Sequence, residues 1–157
     1  MHFGRLDQTD FLIPPFALFY CYTVFAAACN LPLVSTQTFF QSEVIAWVGG
    51  LLGFAGLILL LLSLLSFGKS FRVGIDVAHA DTLVTTGIFA FSRNPIYAAF
   101  GFVLLGQFLV FPNWILLVYL VAGICLFHRQ VLREEAFLRN HYGQDYAEYC
   151  QRVRRYL

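Results

Sequence analysis

The chain alternates between long stretches without charge and short polar breaks, and this rhythm predicts its elements. Val44 to Phe67 has no charged residue over 24 positions. As a helix that run spans roughly 36 Å, more than the ~30 Å hydrocarbon core of a bilayer. Phe11 to Leu33 is a second uncharged run, with Pro14-Pro15 in its first turns, where missing amide donors cost least. Asp7 and Asp10 before it, and the lack of a small-residue cleavage site after Cys29, argue for a retained helix over a signal peptide. Ile96 to Phe111 and Trp114 to Phe127 are shorter apolar runs separated by Pro112-Asn113, which reads as a tight turn between antiparallel helices. Two short spans or a hairpin that dips in without crossing both fit, and two spans are preferred because the helical pattern can continue past His128.

Beyond residue 128 the period changes. Leu138, Tyr142, Tyr146, Tyr149, Val153 and Tyr156 recur at spacings of three and four among charged residues, the mark of an amphipathic helix. Gly143 is a candidate break within it. A tyrosine stripe flanked by arginine suits the lipid interface. The expected fold is therefore an all-α membrane protein: about four transmembrane helices plus a cytoplasmic amphipathic C-terminal helix, in a single domain over residues 1–157. Gly49, Gly53 and Gly56 form a small-residue strip on the second span, which predicts close helix packing within the bundle.

Composition supports the membrane reading. Apolar residues make up 59% of the chain and charged residues 12%, against about a quarter charged in soluble domains. The net charge of +1 hides a one-sided distribution. Lys and Arg occur only at Arg5, at Lys69, Arg72 and Arg93, and from Arg129 to Arg155. None lies in segment 34–43 or at the 112–113 turn. Four spans with both termini and the central linker on one side satisfy this, and the excess of cations makes that side the cytoplasm. The same face favours anionic membrane lipids. Nothing points to nucleic acid. Cys21, Cys29, Cys125 and Cys150 lack metal-like spacing, so no metal site is expected.

The polar breaks carry the candidate chemistry. Asp76 to Val84, then Arg93-Asn94-Pro95-x-Tyr97, then His128-Arg129-Gln130 with Glu134-Glu135 should all meet at the cytoplasmic end. The tight 112–113 turn makes the third and fourth spans neighbours, which puts Tyr97 and Arg129 at one depth. Taken singly, each of these residues reads as an interfacial anchor or a solvated face.

Taken together, they resemble a family. Thr-Gly-x-Phe-x-x-x-Arg-Asn-Pro-x-Tyr runs from Thr86 to Tyr97. Glu134-Glu135-Ala136-Phe137-Leu138, Tyr142-Gly143-Gln144-Asp145-Tyr146, Tyr149 and Val153 follow in order. Both motifs are similar to those of the integral-membrane methyltransferases, which include isoprenylcysteine carboxyl methyltransferase and the phospholipid N-methyltransferases. The resemblance covers approximately residues 68–157. It implies that S-adenosylmethionine is the cofactor, held by Asp81, Thr82, Leu83, Val84, Phe89, Asn94, Pro95, Ile96, Tyr97 and Glu134, with Asp76 near a further contact. It also implies a lipophilic or lipid-anchored methyl acceptor, Glu134 and Arg129 in the catalytic step, and Gln130 and Arg133 on the acceptor. Two positions depart from the isoprenylcysteine enzymes. Asn94 stands where they carry His, and an amide cannot shuttle a proton near neutral pH. Gln130 stands where they carry an acceptor-binding Arg. The acceptor thus stays open between a carboxylate and an amine. The alternative is a non-catalytic membrane protein of the same fold that binds a lipid or partner.

Overall fold

The computed structural model describes residues 13–32, 37–67 and 83–157. Four helices make up most of them: α1 (Ile13–Ala28), α2 (Glu43–Phe67), α3 (Pro95–Val110) and α4 (Trp114–Arg152). A 3-10 turn at Gly87–Ala90 precedes α3. α2 and α3 lie within one residue of the runs that predicted them. Both α2 and α4 are long and apolar enough to cross a membrane. α3, at 16 residues, extends roughly 24 Å.

Each boundary has a local cause. α1 ends earlier than the apolar run because Asn30 takes a left-handed conformation at φ 52°. Leu31 N then donates to Ala26 O at 2.9 Å and Asn30 N to Ala27 O at 3.2 Å, the paired bonds of a Schellman cap. α3 begins on Pro95, whose fixed φ suits the first helical position. Pro112 stops it. Asn113 then starts α4 as its N-cap: Oδ1 accepts from Leu116 N at 3.0 Å, while Nδ2 donates to Phe111 O at 3.0 Å.

The fourth span continues past His128 into the amphipathic segment, as its pattern allows. Helix α4 runs through His128 without interruption: no proline lies between Trp114 and Tyr142, and the lone Gly123 is tolerated inside the apolar run. The break comes at Gly143, at φ 52° and ψ −116°, a conformation that only glycine adopts readily. The last turns therefore leave the line of the helix there.

The glycine strip of α2 packs inside the bundle, against α3. A Cβ on Gly49 would stand 2.7 Å from Gly106 O, and one on Gly56 would stand 2.9 Å from Ala99 O. Backbone-to-backbone approach of this kind substitutes for the hydrophobic driving force that lipid does not provide. α1 meets α4 through Tyr20 and Tyr119, whose rings are 5.1 Å apart. The bundle's outside is apolar, with Val44, Trp47, Leu51 and Leu65 each at least two-thirds exposed. Two hydroxyls within it are satisfied by their own helices: Thr23 Oγ1 donates to Phe19 O and Ser63 Oγ to Leu59 O.

Candidate functional site

Every described Lys and Arg sits at one end of the bundle, together with the turn before α3 and the far half of α4. The turn is built by local bonds. Ser66 Oγ, near the end of α2, accepts from Ile88 N at 3.2 Å. Phe91 N and Ser92 N both donate to Ile88 O. Asn94 is non-helical, as a residue before proline is driven to be. At φ −132° and ψ 55° it is less extended than expected, since its carbonyl already accepts from Ala98 N as the first bond of α3.

Two neighbouring glutamates of α4 reach this turn, and each organises its own cluster. Glu134 Oε1 accepts from Tyr97 Oη at 2.5 Å and from Gln130 Nε2 at 3.0 Å. The Tyr97 ring lies 6.0 Å from Phe127, which stacks on Phe100 at 5.5 Å. A carboxylate held by a tyrosine hydroxyl, with further aromatic rings close to that tyrosine, results. That donor set fits a sulfonium or ammonium cation.

Glu135 is buried and binds the other way. Arg155 grips it side-on, with Nε at 3.1 and 3.0 Å from its two oxygens and a terminal nitrogen at 2.9 Å. Arg93 approaches at 3.6 Å, and Asn94 Nδ2 donates to Oε1 at 3.2 Å. Arg93 also bonds Cys150 Sγ. The chain's last residues complete the arrangement. Arg93 N donates to Arg154 O at 2.9 Å, and Asn94 Nδ2 to Arg155 O at 3.2 Å. His128 Nδ1 meets Tyr156 Oη at 2.9 Å.

The expected tyrosine stripe does not lie at the lipid interface throughout. The kink at Gly143 turns Tyr146 and Tyr149 inward, where they are 1% and 3% exposed. Tyr149 Oη donates to Phe89 O at 2.7 Å, fastening the 3-10 turn from below. Burial pushes the Tyr149 phenol up to about 12, and burial followed by the Glu135 charge raises Tyr146 as well. The Glu135 carboxylate, through its hydrogen bond first, holds the Arg155 guanidinium above its ordinary value.

The expected residues thus divide. Tyr97, Glu134 and Gln130 come together directly. Phe89 and Pro95 are buried, Ile96, Leu83 and Val84 are half-buried, and Asn94 belongs to the Glu135 cluster. Arg129 and Arg133 are exposed on another side of α4. Asp76, Asp81 and Thr82 lie outside the described residues. Arg155, Ser92 and Cys150 are components that the motifs did not single out. Among the described residues no group of three or more His, Cys, Asp or Glu gathers as a metal site would require. A cavity of about 290 Å³ lies at the opposite end, lined by Asn30, Phe40, Glu43, Phe111 and Asn113 among others, and includes none of the expected residues.

Comparison with known proteins gives this end of the bundle a context. The phospholipid methyltransferase family model matches residues 44–145. A probable protein-S-isoprenylcysteine O-methyltransferase of Oryza sativa is 28% identical over 112 residues, 69% of this chain and 59% of the relative. The protein-S-isoprenylcysteine O-methyltransferase of Xenopus laevis is 26% identical over 126 residues, 76% of this chain and 44% of the relative. The chain thus spans about half the length of the relatives it matches. The solved structure of the eukaryotic intramembrane Ras methyltransferase ICMT superposes with a TM-score of 0.68 at 22% identity, covering 94% of this chain and 51% of that one. It shares this fold. The match of the family model over most of the chain, with the first motif whole and the second as far as Asp145, makes the protein a member of the phospholipid methyltransferase family.

Proposed function

We propose that this protein is an S-adenosylmethionine-dependent methyltransferase acting on a lipophilic acceptor at the cytoplasmic face of the membrane. The observation that carries the reading is the 2.5 Å bond from Tyr97 Oη to Glu134. It joins the two motifs at the cationic end of an otherwise apolar bundle.

When bound, S-adenosylmethionine supplies an electrophilic methyl group on a cationic sulfur. The chain's own residues bind and orient it. Both described bonds to Glu134 fall on Oε1, so Oε2 is the atom assigned to the ligand's positive charge. Tyr97 and Phe127 present aromatic faces to the same charge, and Leu83, Val84, Phe89, Pro95 and Ile96 form the less polar wall. Asp76, Asp81 and Thr82 join this pocket in the proposal. Alignment is the main catalytic contribution, since an oriented in-line displacement needs no further covalent chemistry from the protein. A carboxylate acceptor attacks with its existing lone pair, and no base is required. An amine acceptor must first lose a proton, and Glu134 is the carboxylate in place to take it. Arg129 and Arg133, with Gln130 beside them, face an anionic group of the acceptor or its surrounding lipid. The names of the relatives favour a lipid-anchored carboxylate, and Gln130 leaves the amine in contention.

Isothermal titration of the purified protein with S-adenosylhomocysteine tests the pocket. Binding should weaken roughly tenfold or more in Tyr97→Phe, which loses a hydrogen bond to a charged group but keeps the ring. It should be lost in Glu134→Ala. Equal affinity in all three proteins would remove Glu134 and Tyr97 from the site.

A further inference from the structure

Asn94 is the residue whose chemistry the site does not explain. It is 8% exposed, and its amide nitrogen has two hydrogens to give. Both are given inside the protein, one to Glu135 Oε1 and one to Arg155 O, each at 3.2 Å. The reverse amide orientation would set Oδ1 against a carboxylate and a carbonyl, two acceptors, so the chemistry fixes which way the group points. No hydrogen of this amide remains for a ligand.

What holds Asn94 comes from far along the chain. Arg155 covers both oxygens of Glu135 side-on and also offers its carbonyl to the same amide. The main chain beside it pairs with the turn, residue Ser92 bridging Arg154, and Arg93 N bonding Arg154 O. Asn94 in turn precedes Pro95, the first residue of α3, and Tyr97 follows one turn later. Glu134, which receives Tyr97, adjoins Glu135. The two carboxylates therefore fix the turn at both ends. Without Arg155, the buried Glu135 carboxylate would keep Arg93, now 3.6 Å away, as its charged partner. Turning toward Arg93 would draw Oε1 from Asn94, and the Arg93–Asn94 turn would lose its register against α4.

We propose that Arg155, acting through the buried carboxylate of Glu135, is a positioning residue for the Tyr97–Glu134 site, and that the Asn94 amide nitrogen is an internal strut rather than a donor to a ligand. The effect on ligand binding rests on the methyltransferase reading, whereas the effect on the turn does not.

The test compares full-length wild type, Arg155→Gln and Arg155→Lys in lipid nanodiscs. Hydrogen exchange without ligand is followed over residues 88–97, and S-adenosylhomocysteine affinity is measured by titration. Arg155→Gln should speed exchange of the Arg93 amide and its neighbours by about tenfold or more, as local opening no longer breaks the Glu135 contacts. It should weaken S-adenosylhomocysteine about tenfold, while Arg155→Lys, which keeps a charged donor, should recover to within about threefold of wild type. The Arg155 side chain is 39% exposed, so both variants should fold, and unchanged exchange over α2 verifies it. Unchanged exchange at 88–97 in Arg155→Gln would overturn the proposal and make any loss of binding a direct ligand contact. Faster exchange with unchanged affinity would overturn it as well, as would a lysine variant no better than glutamine. Wild type that does not bind S-adenosylhomocysteine would defeat the methyltransferase reading, and the exchange comparison would still decide the strut.

Discussion

Glu134 and Glu135 show how far one residue's place on a helix sets its work. Side by side on α4, one carries an aromatic, partly open cluster and the other a buried ion-pair network. The sequence offers the pair but no way to divide it. Below them, Tyr149 binds the 3-10 turn with a phenol whose neutral form the fold favours, since burial lifts it from the ordinary 10.0 to about 12. Above pH 10 the unfolded chain gives up this proton while the folded protein keeps it, so the contribution to stability is complete below that pH and shrinks as pH rises toward 12. Melting temperature in detergent should be level from neutral pH until the tyrosine range and then fall. Tyr149→Phe should fall less steeply. A variant with the same alkaline slope as wild type would show that Tyr149 does not carry it.

At the level of helices, α2 and α3 depend on the absence of side chains. A Cβ on Gly106 would lie 2.6 Å from both Gly49 O and Gly53 N, which are backbone atoms that cannot step aside. Gly106→Val should therefore destabilise the protein by about 1–3 kcal/mol or more, read as a lower denaturation midpoint in detergent. A neutral result would mean that the helices separate at little cost. The elements themselves were largely legible, for physical reasons. Uncharged runs of sufficient length have few alternatives in a bilayer, and Pro95, Pro112-Asn113 and Gly143 punctuate them as their backbone chemistry requires. The left-handed Asn30 before Pro32 was also readable as a helix stop, yet the apolar run through Leu33 masked it. What sequence could not give was the return of the tail. Arg155 lies 61 residues from Asn94 and resembles any solvated arginine, and nothing local tells Tyr146 and Tyr149 to face inward. Those facts depend on the direction the chain takes after Gly143.

The whole molecule is polarised. The apolar half holds Glu43 as its one charged residue between 13 and 67, and every described arginine lies at the other end with the Tyr97–Glu134 site. If that end faces the cytoplasm, a membrane-impermeant maleimide applied to intact cells should modify Cys29, exposed beside the α1 cap, and spare Cys150 until the membrane is opened. Labelling of Cys150 from outside would invert the orientation. The same polarity places the candidate site where a water-soluble cofactor and a membrane-bound acceptor can meet.

The most direct measurement is transfer of radiolabelled methyl from S-adenosylmethionine into a membrane lipid and lipoprotein extract by the protein in nanodiscs. The account predicts label in the lipophilic fraction with wild type and none with Glu134→Ala. Wild-type protein that binds neither S-adenosylmethionine nor S-adenosylhomocysteine and leaves the extract unlabelled would contradict it.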